Sequence, residues 1–295
     1  MISFRMNTGL REVLMKLEWK DDLDLDMIAE SGQCFRWQKT GQEGEYRIPF
    51  RRELLYIRRI DDTHFDLSCT ERQFERTWRS YFDLGRCYRD IRSMVCEEED
   101  PVLYRAQQLG AGIRVLGQDP WEMLITFIIS QRKNIPAIRL AVEKLARAAG
   151  DPLEGRNGEI VWSFPTAEQI AGMSEQALAE VKLGYREKYV RKAAEDAAAG
   201  RICLEEMEQM DLESCGKALR EIYGVGRKVA DCVALFGLHQ LDAFPRDVWI
   251  NRGLAEDYGG EENFPYDRYH PYNGIMQQYL FEYFRNRPRE TGSFH

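Results

Sequence analysis

Leu219-Arg220-Glu221-Ile222-Tyr223-Gly224-Val225-Gly226-Arg227-Lys228-Val229-Ala230-Asp231-Cys232, followed by Phe244-Pro245-Arg246-Asp247-Val248-Trp249, is the stretch around which the rest of the chain arranges itself. Ahead of the glycines, Leu212, Ala218, Leu219 and Ile222 recur at helical spacing. After them Val229, Cys232, Val233 and Phe236 repeat the same stripe. Two helices, 212–222 and 227–237, are therefore expected to meet at a tight reversal. Gly224 and Gly226 would supply the positive φ such a reversal needs and keep side chains out of a ligand's way. The unpaired N–H groups opening the second helix attract an anion. A Gly-x-Gly alone serves equally well as a plain corner between helices.

Two side chains sharpen that reading. Lys228 falls in the first turn of the second helix, where the positive end of the dipole disfavours a cation and so favours the free amine a nucleophile requires. Asp247 comes nineteen residues later, behind Pro245. Each has an ordinary alternative: Lys228 as a solvated lysine beside Arg227, Asp247 as a helix cap ahead of Val248, Trp249 and Ile250. An amine, a carboxylate and a phosphate-gripping backbone in one place nonetheless point to chemistry on a nucleic-acid sugar.

The run Gly224 to Cys232, with Pro245-Arg246-Asp247-Val248, resembles the helix–hairpin–helix DNA glycosylases, specifically the 8-oxoguanine DNA glycosylases. The resemblance implies that Lys228 attacks C1′ of the damaged nucleotide and forms a Schiff base, giving an N-glycosylase with a β-eliminating lyase activity at abasic sites. It implies that Asp247 assists proton transfer and stabilises the cationic sugar. Gly224, Val225 and Gly226 would hold a phosphate, and the carbonyls of Arg220, Ile222 and Val225 would seat a Na+ or K+ ion. The implied partner is double-stranded DNA containing oxidised guanine, met by a monomer with no membrane attachment.

Three further constellations fit. In Ser31-Gly32-Gln33-Cys34-Phe35-Arg36-Trp37, the residues alone suggest a strand entry with Phe35 and Trp37 packed on one side. The family segment instead lends the Gly32 carbonyl to the lesion, where an acceptor distinguishes the N7–H of oxidised guanine from the lone pair of guanine. Gln277 and Phe281 share a helical face. The amide can read a Watson–Crick edge and the ring can stack on a flipped base, with Cys232 closing the other side. By pattern alone Phe281 is equally a core aromatic. Arg132 and Asn134 lie in a loop between two helices, and with Tyr185 and Arg186 they match the family's wedge and its reader of the orphaned cytosine. The second cytosine-reading arginine of the family falls on Ala137 here, and Trp249 replaces a family histidine.

Composition sets limits. The chain has 295 residues, 44% hydrophobic and 31% charged, with no run long enough to span a membrane. Met1-Ile2-Ser3-Phe4-Arg5-Met6 has no signal-peptide core, so a cytoplasmic location is expected, nucleoid-associated if the source is bacterial. Seven scattered cysteines, with no CxxC pair, read as free thiols. None follows Cys232, so no cofactor is expected, and in particular not the iron–sulfur cluster some relatives carry. His64, His239, His270 and His295 show no metal-ligand spacing. A net charge of −8 argues against a DNA-coating protein. Basic groups concentrate locally at Arg132, Lys133, Arg139, Lys144 and Arg147, and at Lys182, Arg186 and Lys188, as suits an enzyme that must release its product.

Alternatives in the same superfamily fit less well. Alkylated-purine enzymes generally lack the lysine, pyrimidine enzymes usually carry the cysteine cluster, and a non-catalytic hairpin has no need of both Lys228 and Asp247. The predicted architecture is α+β. Residues 1–115 form an N-terminal twisted antiparallel sheet domain, with strands near 46–48, 53–60 and 64–69 and a helix over 72–82. Residues 116–295 form an all-helical helix–hairpin–helix domain.

Overall fold

The computed structural model describes residues 14–287, so the amino-terminal stretch read above and His295 lie outside the described residues. Five antiparallel strands, β1 (Met15–Glu18), β2 (Gln38–Lys39), β3 (Glu45–Phe50), β4 (Glu53–Arg59) and β5 (His64–Leu67), form one sheet in the order β1-β5-β4-β3-β2. The alternating apolar residues of β3, β4 and β5 announced those strands. β1 and β2 are short edge strands, β1 paired with the distant β5 and β2 only two residues long, and they escaped the pattern. Phe50 pairs with Glu53 across a two-residue turn.

One face of the sheet buries Tyr46, Ile48, Leu55, Ile57, Phe65 and Leu67 against Phe74, Trp78, Tyr81 and Phe82. The expected helix carries these aromatics, but it is wound in three pieces, Glu71–Gln73, a π turn over Phe74–Trp78, and Arg79–Tyr81. The opposite face of β3 is covered too, which explains why all six of its residues are buried. Its cover is a two-stranded ribbon, β6 (Pro152–Glu154) and β7 (Ile160–Trp162), that the sequence reading did not anticipate within the helical half. Glu159 at the ribbon's turn pairs with Arg47, and Arg156 bonds Glu45 at 2.6 Å while lying over the Tyr56 ring.

A second core is helical. Its hub is the apolar helix Pro120–Ser130, packed against the helix Ile135–Ala149 and the hairpin helix Arg227–Phe236. Helices over Tyr88–Arg92 and Pro101–Leu109, earlier in the chain, also belong to this core. The helix Pro101–Leu109 packs on the final helix, Asn273–Asn286.

The segment 31–37 does lead into β2, but it crosses between the two cores on the way, so Phe35 and Trp37 do not pack on one side. Ser31 to Arg36 bend, Phe35 enters the helical core edge-on to Phe127 at 5.8 Å, and Trp37 enters the sheet core, donating to Tyr81 Oη at 2.8 Å. Local alternation could not reveal that two neighbouring aromatics serve different cores. Gln33 pins the crossing. Its Nε2 donates to the Arg114 carbonyl at 2.9 Å, its Oε1 accepts from Leu116 N–H at 2.8 Å, and its own carbonyl accepts from Gln118 Nε2 at 2.9 Å. A fully buried amide with such partners is a rigid clamp.

Candidate active site

The hairpin forms as expected, between helices Leu212–Glu221 and Arg227–Phe236, but its glycines divide the work. Only Gly224 uses the left-handed region, with φ 87°. A Cβ there would come within 2.3 Å of the Tyr189 ring, so the close packing demands glycine as well. Gly226 has φ −93° and does not need it for conformation. It is the N-cap, exposed, with nothing within 4 Å of where a Cβ would sit and no side-chain cap on the helix it opens. The backbone is open to an anion from this side. The Val225 N–H is spent on the Ile222 carbonyl at 2.9 Å.

Lys228 follows in the first turn, and its ammonium lies 5.7 Å from the centroid of the Phe127 ring. Phe127 stacks on Phe236 and meets Phe35 edge-on, which makes an apolar floor beneath the amine. Asp247 caps the helix Val248–Asp257, with Oδ1 accepting from Ile250 N–H at 2.9 Å. The cap fixes one carboxylate oxygen and so directs the other.

Lys228 and Asp247 line a common cavity of about 440 Å³, together with Gly32, Cys232, Gln277, Phe281 and Asn134. Residues from five separate stretches of the chain thus converge. Gly32 has φ 78°, and a Cβ on it would be 3.4 Å from the Phe281 ring. Phe281 is half-buried, with the Arg285 guanidinium 5.3 Å from its centroid. Burial pushes the Cys232 thiol up to about 11, against the pull of Lys228, so a neutral S–H faces the cavity at neutral pH. Gln277 is buried, and its Nε2 donates to the Pro245 carbonyl at 2.9 Å. Sequence reasoning passed over Gln278, which lines the same cavity and donates to Gln277 Oε1 at 2.9 Å. The doubled glutamine was the available signal. Gln33, Phe35, Phe127 and the Pro245 carbonyl were also missed, because their roles exist only once distant segments meet.

The expected wedge residues lie outside the cavity, apart from Asn134. Asn134 caps the helix Ile135–Ala149 through Ala137 N–H at 3.0 Å. Arg132 is exposed, with φ 53°. Tyr185, at 47% exposure, projects from a 3-10 turn. Arg186 is not displayed with it. Only 7% exposed, it lies over the Tyr185 ring and donates through Nε to the Gln131 carbonyl at 2.8 Å and through Nη1 to the Leu183 carbonyl. Gln131 in turn donates to the Gly224 carbonyl at 3.1 Å. Two of the five clustered basic residues are likewise engaged elsewhere, Arg139 on the Ala29 carbonyl and Arg147 on Glu143.

Among the described residues, no group of three or more His, Cys, Asp or Glu side chains is placed to hold a metal ion. His64, His239 and His270 pair with Asp61, Asp83 and Asp242. No helix of the described residues is long and apolar enough to cross a membrane.

A sheet joined to a helical body, with a hairpin lysine and a capping aspartate facing one cavity, defines a helix–hairpin–helix base excision repair protein. Residues 125–270 match the model of the HhH-GPD superfamily of base excision DNA repair proteins. Residues 16–124 match the 8-oxoguanine DNA glycosylase N-terminal domain. The chain is similar to the N-glycosylase/DNA lyase of Saccharomyces cerevisiae, 31% identical over 81% of this chain and 69% of the yeast protein. Among solved structures it resembles MBOgg1 in complex with a low-affinity DNA ligand, at 35% identity and TM-score 0.86, covering 92% of this chain and 95% of that one. It also resembles the 8-oxoguanine glycosylase/lyase of Clostridium acetobutylicum in complex with double-stranded DNA containing cytosine opposite 8-oxoguanine. There the identity is 31% and the TM-score 0.83, over 92% of this chain and 97% of that one. The chain belongs to the 8-oxoguanine DNA glycosylase family.

Proposed function

We propose that Lys228 and Asp247 carry out the chemistry of this family member, a DNA N-glycosylase and abasic-site lyase that removes 8-oxoguanine from duplex DNA. The observation that supports these roles is the convergence of Lys228, Asp247, Gly32, Cys232, Gln277 and Phe281 on one cavity. A flipped purine enters between Cys232 and Phe281, with its edge on Gln277 and its N7–H on the Gly32 carbonyl. The Lys228 amine adds to C1′ as the C1′–N9 bond breaks, and the base departs with the bonding electrons and takes up a proton. The second oxygen of Asp247 stabilises the cationic sugar and accepts the proton released by the amine. The sugar then opens to an imine on Lys228. Loss of a C2′ proton expels the 3′ phosphate by β-elimination. Cys232, holding its proton, does not compete as a nucleophile.

In this reading the open backbone at Gly224 and Gly226 takes a phosphate of the DNA strand, and the Arg220, Ile222 and Val225 carbonyls seat a monovalent cation. Tyr185, Asn134 and Arg132 enter the gap left by the base, while Arg186 meets the orphaned cytosine after leaving Gln131. Residues 1–115 and 116–295 act as two units sharing the cavity, in a monomer working in the cytoplasm, at the nucleoid if the source is bacterial. Borohydride reduction with lesion DNA tests the assignment. The parent protein becomes covalently attached and Lys228→Gln does not, whereas trapping that persists in Lys228→Gln removes the lysine from the mechanism.

A further inference from the structure

Gln277 and Gln278 are 3% and 2% exposed, both line the cavity, and their side chains are hydrogen-bonded to each other. Neighbours on a helix point in different directions, so such a bond between adjacent side chains is not a by-product of helical geometry. The polarity of the pair follows from one fixed group. The Pro245 carbonyl can only accept, so the NH2 of Gln277 must face it, as it does at 2.9 Å. Gln277 Oε1 then faces Gln278, which must present its own NH2, at 2.9 Å. The result leaves Gln278 Oε1 buried with no hydrogen-bond partner among the described residues. A buried orphan acceptor destabilises the fold, and an apolar side chain of the same size would avoid it.

We propose that Gln278 is a positioning residue that locks the amide of Gln277 in one orientation and thereby sets which purine edge the cavity accepts. This inference rests on the reading of Gln277 as the base-edge contact. With its amide held at both ends, Gln277 keeps one N–H and one oxygen lone pair for the base, in fixed order. Guanine-type purines present an O6 acceptor beside an N1–H donor, and adenine-type purines present an N6–H donor beside an N1 acceptor. An amide free to turn over serves either edge. A locked amide serves one and leaves its groups unpaired against the other, which is the stronger basis of discrimination. Gln278 acts through Gln277 and need not touch the base.

The test compares Gln278→Met, which keeps the volume and removes the donor, with Gln278→Glu, whose carboxylate can only accept and so opposes the Gln277 oxygen. Single-turnover excision is measured on matched duplexes carrying 8-oxoguanine or 8-oxoadenine, with strand cleavage at a preformed abasic site as the base-independent readout. Gln278→Met is expected to narrow the 8-oxoguanine to 8-oxoadenine rate ratio about tenfold, with abasic-site cleavage and Tm not reduced. Gln278→Glu narrows the ratio further. In a Gln277→Leu background, Gln278→Met adds no further change, since the group it positions is gone. An unchanged ratio in Gln278→Met, where Gln277→Leu alone impairs excision, overturns the proposal and spares the pocket reading. Equal losses of excision and abasic-site cleavage in Gln278→Met also overturn it, in favour of a structural role. Unimpaired excision in Gln277→Leu overturns the pocket reading and the proposal with it.

Discussion

Gly32 shows how narrowly single positions are set. Its φ of 78° is strained for any residue with a Cβ, and a methyl there would sit in contact with the Phe281 ring at 3.4 Å, filling the space beside it. Gly32→Ala should cost about 1–2 kcal/mol in stability. Its larger effect should be on base removal: excision of 8-oxoguanine slows by an order of magnitude or more, while cleavage at a preformed abasic site, which needs no base pocket, stays near the parent rate. Gel assays on the two substrates check this. Ala137 is a second such position. Its N–H donates to the capping Asn134 Oδ1, but its side chain offers no guanidinium to a cytosine. A good bidentate contact is worth ~1–3 kcal/mol of discrimination. The protein should therefore separate the four opposite bases weakly, and Ala137→Arg should sharpen the preference for cytosine. Excision rates on duplexes carrying each opposite base measure both, and a strong cytosine preference in the parent protein would refute the expectation.

At the scale of elements, the hairpin is a joint of three parts. Gly224 packs its backbone on Tyr189, its carbonyl takes the Gln131 amide, and the Gln131 carbonyl takes Arg186. Gln131 thus ties the anion-facing backbone, the interhelical loop and the arginine to one another until Arg186 leaves it. Gly224→Ala combines a positive φ with a Cβ 2.3 Å from a ring carbon, and should destabilise by about 2–4 kcal/mol. Because the distortion falls on the hairpin, affinity for an abasic-analogue duplex should drop more than the loss of Tm would suggest. Thermal unfolding and fluorescence anisotropy, read together, check this. Gly226→Ala, with open space at its Cβ, should cost only the N-cap preference for glycine over alanine, about 0.5–1 kcal/mol, far less than Gly224→Ala, which makes it the control for backbone access.

Across the whole molecule, the two cores are joined by a buried charge cluster. Arg36, on the crossing segment, lies 3.8 Å from Glu122 and 3.7 Å from Glu143 and donates to the Trp162 carbonyl of the ribbon. Burial pushes the Glu122 carboxyl up to about 7, Arg36 opposing and Asp119 and Glu143 adding to the rise. A carboxyl raised in the folded state contributes stability that is complete below its unfolded range and is lost as pH rises through the folded value. The junction should therefore weaken between about pH 4.5 and 7, by roughly 3 kcal/mol. Glu122→Gln keeps the shape without the charge and should flatten that part of the Tm–pH profile. An identical profile in the variant would remove Glu122 as its cause.

The local pattern of the chain determined a great deal: the hairpin with Lys228 and Asp247, the three inner strands and most of the helices, while the family resemblance supplied the residues proposed to surround a damaged purine. These features are legible because helical and strand periodicity, glycine at a reversal and a carboxylate at a helix start act over a few residues. Long-range packing decided the rest. It sent Phe35 and Trp37 to different cores, set Gln33 as the clamp on Gly32, and covered β3 with a ribbon from residues 152–162. It also folded Arg186 onto Gln131 and bonded Gln278 to Gln277. In each case the partner is a group whose position exists only after the chain has closed on itself. Residue type announces that a polar group needs a partner, and only the folded chain supplies it.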